Sequence, residues 1–190
     1  MTTAKERPIL FSGPMARAIL DGTKTQTRRV VKPQPTAGFD PYGSPMYATP
    51  AGPRIIRCPY GIPGDRLWGR ETFAQGVEGC DGGISYRADH ADPKGDGPAH
   101  PMKWRPSIFM PRAASRILME ITDVRVQRLQ EISEDDARAE GCAPVVNDDG
   151  SVDCGTRKTT FSLLWESING AGSWHASPWV WAITFRRLQP

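Results

Sequence analysis

The chain has 190 residues, a formal net charge of +3, and 19 glycines and 18 prolines. That length supports one domain, and the glycine and proline content favours a compact core with long loops over a larger core. So small a charge does not mark a nucleic-acid binder by composition, although a local basic patch can still act as one. No apolar run is long enough to span a bilayer and the N-terminus lacks a signal-like apolar region, so a soluble, cytoplasmic protein with no membrane partner is expected.

Residues Pro8–Phe11 read as a short buried strand. Ser12 then occupies an N-cap position, with Pro14 in the first turn of a helix. Met15 with Ile19, and Ala16 with Leu20, give that helix one apolar face. Gly22 stands where a glycine ends a helix, and Thr27–Val31 reads as the next strand. Residues 33–53 are rich in proline and glycine and are expected as a long surface loop. Arg54–Cys58 is a strand candidate. After the turn Pro63-Gly64-Asp65, Arg66–Thr72 is a second, with Leu67 and Gly69 on one face and Trp68 and Arg70 on the other.

Residues 75–106 form a second irregular stretch with one possible short strand, Ile84–Tyr86. Composition there is compatible with a mobile insertion or with a lid over a site. Ser107–Met110 is a strand candidate ended by Pro111. Arg116–Leu129 is the clearest strand: Ile117, Met119 and Ile121 alternate, and Val124 and Val126 resume after a one-residue slip at Thr122-Asp123. The slip predicts a β-bulge. Ser133 caps a short acidic-fronted helix that ends at Gly141. A third loop, near 143–158, leads to a helix over Thr160–Asn169 with Phe161, Leu164, Trp165 and Ile168 at helical spacing. Trp179–Leu188 closes the chain as a strand. Few helices among antiparallel strands predict an α+β fold, a single domain built on a small antiparallel β-barrel with peripheral helices.

The four cysteines, Cys58, Cys80, Cys142 and Cys154, form no CxxC pair, and free thiols are the default. A mixed zinc site from Cys80, His90 and His100 fits no common ligand spacing, and no motif requires a metal or an organic cofactor.

The densest chemistry lies in Asp21-Gly22-Thr23-Lys24-Thr25-Gln26-Thr27-Arg28-Arg29. Lys24 offers a point charge for a phosphate or carbonyl oxygen, or a base if burial lowers its pKa; Thr27 offers a hydroxyl that such a base would activate. The order Gly-x-Lys-x-x-Thr-x-Arg resembles the signature of the ASCH family in the PUA-like superfamily. Leu-Phe-Ser-Gly-Pro-Met at 10–15, Pro-Gly-Asp-Arg-Leu-Trp at 63–68 and Trp-Glu-Ser-Ile-Asn-Gly at 165–170 extend the likeness, in particular to ASCH-type proteins of phages and prophages. The resemblance implies a small β-barrel that binds RNA, DNA or a modified nucleoside. One branch of the family hydrolyses 4-acetylcytidine with a Lys, a Thr three residues later and a distant Glu. Carried over, these are Lys24, Thr27 and Glu140. Relatives carry an aromatic near position 113, where this chain has Ala113.

Residues three apart on a regular strand face opposite sides, so Lys24 and Thr27 converge only if a turn or bulge intervenes. Glu140, beside Gly141, also suits an ordinary solvated helix end. Arg28, Arg29, Arg105, Arg112 and Arg116 form a basic rim for a phosphate backbone if the fold gathers them, and otherwise are scattered surface charges. Trp68 and Trp104 are candidates for stacking on a base or for ordinary packing. Three readings follow: a nucleic-acid-binding module; a hydrolase of a modified pyrimidine nucleoside, or a ribonuclease; and a phage structural protein.

Overall fold

The structure is a computed structural model that describes residues 4–76, 83–90, 103–144 and 156–188. Its centre is a five-stranded mixed sheet of β1 (Glu6–Leu10), β2 (Gln26–Val30), β5 (Arg66–Arg70), β8 (Leu118–Arg128) and β9 (Trp179–Leu188). The strands lie in the order β1-β5-β8-β9-β2. β1 runs parallel to β5, and the other neighbours are antiparallel. Pro8 lies in β1, and a residue without an N–H is tolerated on such an edge. The slip read at Thr122-Asp123 is a register shift between Ile121 and Asp123 in the β8/β9 ladder, which bends the longest strand.

The fold is α+β, as expected, but the expected antiparallel barrel is an open mixed sheet among the described residues. No ladder joins its edge strands β1 and β2. A side chain bridges them instead: Arg29 Nη2 donates to the Leu10 carbonyl at 2.8 Å.

Strand alternation sorts the core into two halves. Trp181, Ile183 and Phe185 of β9 join Ile9, Leu67, Met119 and Ile121 in the larger cluster, which also takes in Ala16 and Ile19 of helix α1 (Gly13–Leu20). Val180 joins a second cluster with Ala137 of α2 (Glu134–Ala139) and Phe161 and Trp165 of α3 (Arg157–Asn169). A small third cluster packs Phe73, Met110 and Ala114 beneath the hairpin of β6 (Phe73–Gln75) and β7 (Ile84–Tyr86).

Three local expectations change. Ser107–Phe109 is a 3-10 turn between Pro106 and Pro111, not a strand; Ile108 and Phe109 are exposed and have no neighbouring strand to pair with. The loop at 33–53 includes β3 (Met46–Tyr47), which forms a two-residue ladder with β4 (Arg54–Ile55). Helix α3 starts at Arg157 because Thr156 caps it, its Oγ1 accepting from Thr159 N. Much of the stretches 75–106 and 143–158 lies outside the described residues.

At Gly69 the β5 backbone approaches Ile117, the residue just before β8, closely, and Gly69 N donates to the Ile117 carbonyl at 2.8 Å. A Cβ there would lie 2.9 Å from Ile117 Cβ, and Ile117 is only 1% exposed. Neither atom can swing away. Gly69→Ala is therefore expected to lower stability by about 1–3 kcal/mol through overpacking, as read by urea denaturation; an unchanged midpoint would show that the two segments part freely.

Candidate functional site

The signature turn leaves the C-terminus of α1 at Gly22, which has a φ of 74°. Backbone bonds then tie it down: Lys24 N donates to the Ala18 carbonyl and Thr25 N to that of Ala139, each within 2.9 Å. The turn is thereby clamped between the ends of α1 and α2. Gly141, with a φ of 86°, closes the contact; a Cβ there would meet Lys24 Cβ at 3.2 Å and Ala18 Cβ at 3.3 Å. The ends of the two helices thus deliver Lys24 and Glu140 to one point.

Lys24 is 1% exposed and Glu140 5% exposed. Lys24 Nζ donates to Glu140 Oε2 at 2.6 Å, to the Glu140 carbonyl at 2.9 Å and to the Gln26 carbonyl at 2.8 Å. An ammonium has three N–H donors, and each has an acceptor. The other carboxylate oxygen of Glu140 accepts from Arg28 Nη1 at 3.1 Å. Arg28 Nη1 also donates to Gln26 Oε1, and its Nη2 to Asp136 Oδ2 at 2.9 Å. Gln26 Nε2 donates to Asp136 Oδ1 and to Thr184 Oγ1. The result is a closed network of two buried cations and two carboxylates, further edged by Arg125 on Asp136. Burial pushes the Asp136 carboxyl up, but the charge of Arg28, with hydrogen bonds from Gln26 and Arg125, outweighs this and holds it below the usual carboxylate range.

Thr27 belongs elsewhere. In the β2/β9 register it lies opposite Ile183, whereas Gln26 and Arg28 lie opposite Thr184 and Ala182. Successive residues on a strand face opposite sides, so the sheet stands between Thr27 and the Lys24–Glu140 network. Thr27 is 1% exposed, and its Oγ1 accepts from Arg29 Nη1 at 3.0 Å. Two of the three residues drawn from the hydrolase pattern meet, and the third does not join them. Glu140 is not a solvated helix end.

The five arginines are not gathered into one rim. Arg112 pairs with Glu6 at 2.9 Å. Arg116 is gripped by Glu71 and Asp89 and stacks 3.9 Å over the Tyr86 ring. Burial works against the Arg116 charge, but the two carboxylates more than offset it. Arg105 donates to Gln75 and crosses Phe73. Only Arg28 and Arg29 line the cleft described next. Trp68 is 7% exposed, with the Arg70 guanidinium 4.6 Å over its ring. Trp104 stands between Arg87 and His90. Trp68 is thus buried, whereas Trp104 is half-buried. Of Cys80, His90 and His100, the first and last lie outside the described residues, and His90 Nε2 is hydrogen-bonded to Ser85 Oγ.

The cleft itself, about 690 Å³, opens where the edges of β1 and β2 approach each other beside α3. Glu140 and Arg28 form part of its wall, with Arg29, Arg70, Phe161 and Trp165. Ile9, Ile108, Leu164 and Ile168 add apolar surface. Among the described residues six buried side-chain polar atoms have no hydrogen-bond partner, and three of them, the donors Arg28 Nε, Arg70 Nε and Trp165 Nε1, belong to residues of these walls. Arg70 and Trp165 read from the sequence as strand and core residues; a single aromatic at helical spacing gives no sign that its N–H is unmet. Asp136 reads as a helix-capping acid, and its second role follows only from the helix docking against β2. Comparison of the chain with protein-family models, with curated proteins and with solved structures finds no match.

The buried network makes a stability prediction. Lys24→Met leaves Glu140 with one cation instead of two in a site closed to water. Breaking a buried pair this way costs about 3–5 kcal/mol, and adding Glu140→Gln should restore part of it because the stranded charge is removed. Denaturant titration of the single and double variants checks both. The sign for acid is also fixed. Asp136 has a folded pKa below its unfolded value of about 3.9, so its contribution is complete above that value and is lost as pH falls through the folded pKa. Stability should therefore drop below about pH 4, by less in Asp136→Asn than in the wild type, as followed by thermal melts across pH.

Proposed function

We propose that the protein recognises a nucleobase, as a nucleoside or within RNA or DNA, in the cleft between β1, β2 and α3, as an ASCH-type domain of the PUA-like class. The observation that carries this reading is the set of three unmet buried donors on one wall system. Buried polar groups in folded proteins almost always find partners, so Arg28 Nε, Arg70 Nε and Trp165 Nε1 call for acceptors from a ligand or from water. The carbonyl and ring-nitrogen edge of a base supplies such acceptors in one plane. Phe161, Leu164 and Ile168 offer the apolar surface on which its faces can lie. The side-chain bridge between the sheet edges, the signature order and the Lys24–Glu140 contact support the family assignment.

Binding is favoured over hydrolysis. Lys24 is engaged by three acceptors, both oxygens of Glu140 are held by cations, and the Thr27 hydroxyl is across the sheet. A nucleophile and its activator must lie within hydrogen-bond reach, and these do not. The 2.6 Å contact between Lys24 and Glu140 is the one feature that favours the hydrolase as a second reading.

Calorimetric titration with the four nucleosides, with 4-acetylcytidine and with short RNA and DNA strands tests the first reading. At least one should bind, and Trp165→Phe, which deletes a single donor, should weaken it roughly two- to tenfold. Silence across the whole panel would overturn base recognition. Turnover of 4-acetylcytidine by the wild type, lost in Lys24→Ala, would instead establish the hydrolase.

A further inference from the structure

We infer that the ligand of this cleft carries a phosphate, and that Arg29 and Arg70 hold it; this rests on the base-recognition reading above. The argument begins with a charge count around the cleft. Lys24 and Arg28 are matched by Glu140 and Asp136. Arg29 and Arg70 are not matched. Among the described residues neither guanidinium has a carboxylate within ion-pair distance. Arg29 donates to Thr27 Oγ1 and to the carbonyls of Arg28 and Leu10. Among the described residues Arg70 donates to the Ile108 carbonyl alone, at 3.2 Å, and its buried Nε is unmet. Elsewhere among the described residues, half-buried Arg7 and Arg116 each have their own acid, whereas half-buried Arg17 and Arg87 have none but do not share one cleft. The cleft therefore holds two surplus positive charges beside a neutralised network.

The two arginines are placed together by the sheet. Leu10 lies opposite Arg70 in the β1/β5 register, Phe11 N donates to the Arg70 carbonyl at 2.9 Å, and Arg29 reaches across the gap to the Leu10 carbonyl. Each is also braced on an aromatic ring, Arg29 on Phe11 and Arg70 on Trp68, which limits the freedom lost when a ligand arrives. Ser12, next in the chain to Phe11, and Thr72, two residues after Arg70, also line the cleft. Ser12 holds the N-cap position of α1, but its hydroxyl makes no capping bond. Two guanidinium forks and two hydroxyls form a donor set suited to the several oxygens of a phosphate. The phosphate is that of a nucleotide, either as a free 5′-monophosphate or within a strand.

Calorimetry on the full chain, with each nucleoside against its own 5′-monophosphate and with inorganic phosphate as a separate probe, tests this. At least one monophosphate should bind about tenfold more tightly than its nucleoside. In Arg70→Gln that ratio should fall to within about twofold, and Arg70→Lys should keep an intermediate ratio because the charge remains while the fork is lost. Melting curves of both variants show whether the fold survives, and the lysine variant keeps the test decisive if the glutamine variant does not. Equal affinity for nucleoside and monophosphate would overturn the phosphate site and leave base recognition standing. Phosphate and monophosphates that bind through Arg70 while no nucleoside does would uphold the anion site and remove the base reading. No binding by any probe would overturn both. If a short strand binds more tightly than every monophosphate and shows the same Arg70 dependence, the phosphate belongs to a nucleic-acid backbone.

Discussion

The ammonium of Lys24 is buried at the point where two helix ends and an edge strand meet, and the local architecture depends on its being satisfied there. An ammonium removed from water without acceptors would cost far more than a domain of this size can spare. Here all three protons have acceptors, and two of these come from Glu140. Meeting that need fixes the distance between α2 and β2. Glu140 cannot turn outward without stranding Lys24, and α2 cannot tilt without moving the Glu140 carbonyl. Gly141 follows from the same constraint, since a side chain there would press on Lys24 and Ala18. Arg28 and Asp136 extend the network along β2, so a polar layer, not an apolar one, fastens α2 to the sheet. Such a layer selects one register, because a slip would part Lys24, Gln26 and Arg28 from their acceptors, although it adds little net stability over an apolar contact.

This arrangement also explains the division of labour inside the signature. The period of a strand sends Gln26 and Arg28 to one face and Thr27 and Arg29 to the other. On one face the polar groups meet α2 and complete each other. On the other, Thr27 is buried opposite Ile183, and Arg29 turns around the strand edge to reach Leu10. One short stretch of chain therefore builds a closed network and also places an open cation beside it. The balanced charges hold the wall, and the unbalanced ones remain available to a ligand.

Much of the fold was legible in the sequence because strand and helix periods are local. The alternation of Ile117, Met119 and Ile121, its slip at Thr122, the cap at Ser133 and the stop at Gly22 all reappear in the structure. What was not legible depends on who sits next to whom. Nothing in the sequence makes β1 parallel to β5 or leaves β1 and β2 without a ladder between them, and those two features make the sheet mixed and open. The apolar run Ser107–Met110 looks like a strand until its flanking prolines are seen to leave it without a partner. The arginines show the limit most clearly. Five were grouped by chain position, and ion pairs to Glu6, Glu71 and Asp89, distant in sequence, take two of them out of play. Arg70 reads only as a strand residue sharing a face with Trp68, yet the sheet register brings it to the cleft beside Arg29.

The open sheet and the cleft have a common origin. A fully closed barrel would join β1 to β2 by a backbone ladder and leave no gap between them. Here the gap is crossed at one point by a guanidinium, and α3 covers the β2 side with Phe161 and Trp165. The space that remains is walled by backbone edges, aromatic rings and arginines. A protein interior would normally fill such a space with side chains, or satisfy its donors internally. Arg28 Nε, Arg70 Nε and Trp165 Nε1 do neither. The guanidinium groups of Arg29 and Arg70, without a carboxylate among the described residues, stand in one cleft with the unmet donors of Arg28 and Trp165, a constellation that stability alone gives no reason to gather there. Recognition of an acceptor-rich anion gives one, and it accounts for the donors and the charge with the same molecule.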